Sequence, residues 1–181
     1  GKAQRQFPDK QMNYLVKPGG FINGSIKVPG DKSISHRAII FGSIAEGVTK
    51  VSGFLEGEDS LNTLNAFREM GVTIIGPENG DLTIYGVGMK GLKAPRAPLY
   101  MGNSGTAMRL LAGLLAAQQF PSELTGDESL SKRPMSRVVN PLQQMGAKIR
   151  CADGETPPIK INKTKLKGIS YEMKIASAQV K

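Results

Sequence analysis

The chain has 181 residues, 39% apolar and 22% charged, enough for one large domain or two small ones with a packed core and too apolar for disorder. No apolar run approaches the ~18–20 residues of a membrane span, no basic-then-apolar leader opens the chain, and a lone cysteine, Cys151, excludes an internal disulfide framework. The expectation is a cytoplasmic protein without membrane contact. Its net charge of +9, from 24 Lys+Arg against 15 Asp+Glu, calls for anionic partners, but no basic run or aromatic-interleaved stripe supports nucleic acid.

Residues 1–13 are polar and aperiodic and read as a linker or tag-like tail. Residues 14–30 read as a first strand, "GFINGSIKV", broken at Pro29-Gly30. Residues 33–45 read as a helix with Ile34, Ala38, Phe41 and Ile44 or Ala45 on its apolar side. "VTKVSGFL" reads as a strand. "DSLNTLNAFREMG" reads as a helix capped by Asp59 or Ser60, with Leu61, Leu64, Phe67 and Met70 on one side and Gly71 as its stop. "VTII" and "LTIYG" flank Asn79-Gly80, a hairpin signal. "AKIRCADG" reads as a strand end with a structural Cys151, and "KINKTKLKG" as exposed strand and turn.

The chain also repeats itself. "LEGEDSL…REMGVTI" returns as "LTGDESL…QQMGAKI" with about six extra residues, and "GMKGLKAP" returns as "TKLKGISYE". A start rich in small hydroxyl residues occurs three times, as "GDKSISHR", "GNSGTAMR" and "IASAQVK", with Ser33, Ser104 and Ser177 spaced 71 and 73 residues apart. That period marks a copied α/β unit, helix-strand-helix-strand-strand, with a third copy begun.

A helix N-terminus presents unpaired N–H groups and about half a positive charge, so it attracts anions. Lys32 and Arg37 add full charges to the first start, Ser33 a small donor, and Gly102 and Gly105 let a ligand approach the second; Ser177 and Gln179 supply neutral donors to the third. An ordinary solvated first turn fits Lys32 and Arg37 equally well, a plain loop-to-helix junction fits "GNSGT", and buried hydrogen bonding fits His36. Arg133 precedes Pro134, whose preference for the first helical position puts Arg133 at a helix start or leaves it a surface arginine. No phosphate-binding loop, metal-ligand spacing or dinucleotide fingerprint occurs, so no cofactor and no metal is expected.

"PGDKSISHRA", "GNSGTAMRLLAGLLA", "LTGDESLSKRPM" and "SAQVK", in this order, resemble the 5-enolpyruvylshikimate-3-phosphate synthase family from about Leu15 to Lys181. The resemblance implies an inside-out α/β barrel, and an enzyme that moves the enolpyruvyl group of phosphoenolpyruvate to the 5-hydroxyl of shikimate 3-phosphate and releases phosphate. By that resemblance Lys32 contacts both substrates, and Ser33 and Arg37 hold the shikimate carboxylate. Gly105 and Arg133 take the phosphate of phosphoenolpyruvate, near Asn103 and Thr106. Ser177 takes the 3-phosphate, Gln179 lies against the shikimate ring, and glyphosate competes for the phosphoenolpyruvate slot. Residues 31–181 are then one incomplete first domain, two repeats plus the start of a third, with 14–30 running toward a missing C-terminal domain.

Ala178 departs from the family, where many members carry a second serine. The family's acid/base carboxylates belong to the half not present here, so this chain is expected to bind substrate anions without turnover. One alternative is a relative of UDP-N-acetylglucosamine enolpyruvyl transferase, which would place a reactive cysteine in a loop of this half; none lies near Arg133. Another is a non-catalytic anion-binding module.

Overall fold

A computed structural model describes residues 15, 17–173 and 176–181; the polar tail read over 1–13 lies outside them. In chain order the elements are α1 (Lys32–Ile44), β1 (Glu46–Val51), α2 (Glu58–Glu69), β2 (Thr73–Glu78), β3 (Asp81–Val87), β4 (Leu99–Tyr100), α3 (Gly105–Ala116), β5 (Ser122–Thr125), α4 (Ser136–Gln144), β6 (Lys148–Ala152) and β7 (Thr156–Asn162). The strands form two sheets, β1-β3-β2 and β4-β5-β7-β6; all pairs are antiparallel except β4 with β5. Helices α1 and α2 cover the first sheet, α3 and α4 the second, giving the expected α/β class.

The copied sequence produces copied geometry. Helix α2 ends where Gly71, at φ +87°, turns its N–H back to the Arg68 carbonyl while Val72 bonds to Phe67; α4 ends identically through Gly146, at φ +90°, and Ala147. This double closure satisfies the last carbonyls of a helix and requires a left-handed residue, which glycine adopts without penalty. The next carbonyl is used alike in both copies: Met70 accepts from the Lys93 N–H and Met145 from the Lys167 N–H, each at 2.9 Å. Asn79 and Gly80, at φ +53° and +82°, make the two-residue hairpin turn between β2 and β3.

One continuous core spans both copies. Leu64, Phe67 and Met70 of α2, Met108, Leu111 and Leu115 of α3, and Leu124, Ile159 and Ile161 of the second sheet are fully or almost fully buried within it.

Three expectations are corrected. Residues 20–28 form no strand; Phe21 and Ile22 are fully exposed, because the alternating apolar pattern finds no strand among the described residues to pair with. Helix α1 buries Ser35, His36, Ile39, Ile40, Gly42 and Ser43, leaving Ile34 at 70% and Phe41 at 63% exposure. Gly42 decides this rotation: a Cβ there would stand 2.8 Å from Ile84 Cδ1, so α1 meets β3 on its small-residue side. Helix α2 is entered through Gly57 with no side-chain cap, and not through Asp59 or Ser60, which lie inside its first turn.

Leu111→Ala should therefore cost about 2–5 kcal/mol in urea unfolding. Phe41→Ser should change stability by less than about 0.5 kcal/mol and lower self-association in sedimentation velocity by removing exposed apolar surface. Equal destabilisation by the two variants would mean that α1 packs through Phe41 after all.

Candidate functional site

Two helix starts are held against each other. Asp31 caps α1, its Oδ1 accepting the Ile34 N–H at 2.7 Å, and Ser104 caps α3, its Oγ accepting the Ala107 N–H at 3.1 Å. Gly30 precedes the first cap because the Gly53 carbonyl occupies the space a side chain would need. Gly102, at φ +54°, precedes the second with the Asn62 amide pressed beneath it. The Pro-Gly and Gly-Asn breaks of the sequence are thus close backbone approaches.

Lys32 opens α1 and reaches across to α2, where its Nζ lies 3.0 Å from Asp59 Oδ2. The lysine side chain is 56% exposed, so the pair is a partly hydrated one that another anion can compete for. Ser33 is exposed on the same turn, and Arg37 bonds through Nη1 to the Ser33 carbonyl at 3.2 Å. Arg37 is half-buried, and among the described residues neither it nor Ser33 is hydrogen-bonded to the second helix start.

Around α3 the contacts are denser. Arg133 donates to Asn103 Oδ1 at 2.6 Å, to the Asn103 carbonyl at 3.3 Å and to Ser129 Oγ at 3.3 Å. The Asn103 amide donates to Asp127 Oδ2 at 2.9 Å, while Asp127 Oδ1 accepts the Leu130 N–H at 2.7 Å. That backbone bond first, the Asn103 amide second and the Arg133 charge after them hold the Asp127 carboxyl below the usual range. Arg133 itself is not at a helix start: it closes a single turn over 130–132 in an extended conformation, as the residue before a proline prefers, and α4 begins only at Ser136. The Gly105 N–H, expected to face a ligand, lies 3.1 Å from the Asn103 carbonyl.

Arg109 joins this group although neither its pattern nor its spacing drew attention. Its Nη1 donates to the Gly105 carbonyl at 3.2 Å and to Gln179 Oε1 at 3.3 Å, and its Nη2 to the Pro134 carbonyl at 3.3 Å. Burial, with Arg133 and Arg137 nearby, lowers its pKa from the ordinary arginine value. Among the described residues neither Arg109 nor Arg133 has a carboxylate at ion-pair distance. The signal was present in the repeat: aligned at their first glycines, "GDKSISHR" and "GNSGTAMR" place Arg37 over Arg109 and Ser33 over Gly105.

The third start forms one turn, with Val180 and Lys181 bonded back to the Ser177 carbonyl. Gln179 ties it to α3, its Nε2 donating to Thr106 Oγ1 at 3.0 Å. Among the described residues no group of three His, Cys, Asp or Glu side chains could hold a metal ion, and no helix is long and apolar enough to cross a membrane. Cys151 is half-buried in β6, and burial raises its thiol pKa, as suits a structural residue. The arrangement is an open cationic face on two helix starts, suited to holding phosphate and carboxylate groups.

Comparison with known proteins agrees with the resemblance. The chain is 64% identical over 171 residues to the 3-phosphoshikimate 1-carboxyvinyltransferase of Hydrogenovibrio crunogenus, covering 94% of this chain and 38% of the relative. It is 59% identical over 174 residues to that of Methylococcus capsulatus, covering 96% and 40%. The chain therefore spans about two-fifths of the length of these curated relatives. A solved EPSP synthase from Acinetobacter baumannii superposes with a TM-score of 0.84 at 63% identity, over 87% of this chain and 36% of that one, which makes the fold a partial domain of the inside-out barrel. The family model for EPSP synthase (3-phosphoshikimate 1-carboxyvinyltransferase) matches residues 16–181. The chain belongs to the EPSP synthase family.

Proposed function

We propose that this chain is the anion-holding part of the first domain of an enzyme that transfers the enolpyruvyl group of phosphoenolpyruvate to the 5-hydroxyl of shikimate 3-phosphate with release of phosphate. The observation that carries this reading is the convergence of Arg109, Arg133 and the capped start of α3 on one open face next to the Lys32 turn. In that reading Lys32 exchanges Asp59 for the substrate anions, Ser33 and Arg37 receive the shikimate carboxylate, and Gly105 and Arg133 receive the phosphate of phosphoenolpyruvate. A bound phosphate would draw the Gly105 N–H away from the Asn103 carbonyl. Ser177 serves the 3-phosphate and Gln179 the ring face.

Releasing phosphate concentrates negative charge on the departing group, and fixed guanidinium and ammonium donors stabilise it. Proton transfer is assigned to residues outside this chain, as the family resemblance implies; Asp59 and Asp127 lie in pairing and turn-capping positions. Residues 177–181 are read as the opening of a third unit and 14–30 as the approach to a second domain. A cytoplasmic location belongs to the same proposal.

In a full-length protein containing this chain, Lys32→Met should nearly abolish turnover while the circular dichroism spectrum stays unchanged. The half-exposed pair with Asp59 contributes only about 0–1 kcal/mol to folding, whereas a charged hydrogen bond to substrate contributes about 1.5–3 kcal/mol. Near-normal catalytic efficiency in the folded variant would remove Lys32 from the site.

A methyl at Gly105 would stand 2.7 Å from Arg109 Nη1 and 3.6 Å from Arg133 Nη1. Gly105→Ala should therefore displace the Arg109 guanidinium into ligand space and weaken glyphosate, the longer occupant, more than phosphoenolpyruvate. Inhibition and Michaelis constants measured in parallel check this; equal losses would show that Gly105 matters for backbone geometry alone. The 181-residue chain by itself should shift its amides at residues 32–37 and 104–107 on titration with shikimate 3-phosphate, and release no phosphate. Measurable turnover would place a complete active site within these residues.

A further inference from the structure

His36 is fully buried and has no part in the reading above, yet it stands between the two helix starts. Its Nδ1 lies 2.8 Å from Thr63 Oγ1 and its Nε2 lies 3.3 Å from Ser104 Oγ. Both ring nitrogens face hydroxyls, whose other bonds bear on which nitrogen carries the proton. The Thr63 hydroxyl also lies 3.3 Å from the Asp59 carbonyl; with its hydrogen given to that carbonyl, Thr63 accepts from the ring and Nδ1 is the donor. Nε2 is then bare and accepts the Ser104 hydroxyl, whose oxygen in turn accepts the Ala107 N–H. The bonds run one way, from the first turn of α3 through the α1 ring into the first turn of α2, and end on the backbone of Asp59, the residue that holds Lys32.

We propose that His36, as a neutral Nδ1–H imidazole, is a positioning residue that sets the spacing between the Lys32 turn and the Ser104–Gly105 turn, on which the substrate anions rest; this rests on the proposed function. The charged groups around the ring bear on its protonation. Burial lowers its pKa most, Asp59 on α2 raises it, and Lys32 and Arg37 on α1 lower it. The α3 side presents the neutral Ser104. A folded pKa below the unfolded one means that the neutral ring's contribution is present above the unfolded value and lost as pH falls through the folded value. A proton on Nε2 would turn that nitrogen into a donor and reverse the bond to Ser104. Two like-signed helix ends are kept together by a link that carries no charge of its own.

The test has two readouts. As the only histidine in the chain, His36 can be read directly by nitrogen-15 NMR of the 181-residue protein. The ring should show the Nδ1–H tautomer from about pH 8 down to about pH 6, below which an ordinary histidine is charged. An Nε2–H tautomer, or a ring protonated at about pH 6.5, would overturn the proposal. In a full-length protein containing this chain, His36→Leu and Ser104→Ala, which each remove the His36–Ser104 bond and one other, should raise KM for both substrates at least about tenfold. His36→Gln, which restores an acceptor toward Ser104, should recover most of that loss. A role confined to stability would reduce the active fraction and leave KM unchanged.

If His36→Leu does not fold, Ser104→Ala and Thr63→Val cut the same chain at either end and decide the matter alone. KM values within twofold of the parent in these variants would overturn the positioning role. A parent protein without enolpyruvyl transfer would instead overturn the proposed function. In that case titration of the 181-residue chain with inorganic phosphate still decides the spacing role. Shifts at residues 32–37 and 104–107 that Ser104→Ala weakens together would support it; shifts unchanged by Ser104→Ala would overturn it.

Discussion

Two helix N-termini meeting at one surface repel each other, and this constraint organises the molecule. Each brings about half a positive charge, and Lys32, Arg109 and Arg133 add whole ones. Among the described residues the carboxylates that offset this charge are Asp31, which caps α1, Asp59, which pairs with Lys32, and Asp127, which reaches Arg133 only through Asn103. An arrangement of this kind persists because other contacts hold the helices where they are. Those contacts are the single apolar core and the uncharged His36 bridge. An anion settling on the face, as the proposed function requires, would relieve the repulsion, so affinity and cost to the fold would have one origin.

Small residues make the meeting possible. Gly30 lies against the Gly53 carbonyl, Gly102 against the Asn62 amide, and Gly42 lets α1 sit down on β3. None of these positions has room for a side chain without displacing its neighbour. The consequence reaches the far side of α1: with Gly42, Ser35 and Ser43 turned inward, Phe41 and Ile34 face solvent. The helix is oriented by how closely its backbone can approach the sheet and not by its largest apolar side chains.

The copied unit explains why two independent starts reach the same place. Each copy runs a helix onto a sheet, closes its second helix with a glycine, and returns a lysine N–H to the carbonyl just before that glycine. Equivalent closures fix equivalent helix directions. The third start, a single turn at Ser177, already touches α3 through Gln179, which bonds to both Arg109 and Thr106. The cationic face of this chain, a member of the EPSP synthase family, therefore comes from repetition, with charge placed differently on each copy.

What the sequence by itself determined was local or periodic. The two-residue hairpin at Asn79-Gly80, the α2 stop at Gly71, the copied unit and the basic first turn at Lys32 depend on residues close in the chain, and their physics is legible there. The tertiary structure alone decided which face of α1 is buried, that 20–28 stays unpaired, and that Arg133 closes a turn without opening a helix. It alone decided that Arg109 meets Gln179 from 70 positions away and that His36 bridges to Ser104 from 68. Pattern reading weighs propensities over a turn or two, whereas these outcomes depend on steric fit and hydrogen-bond direction between segments that only the packed core brings together.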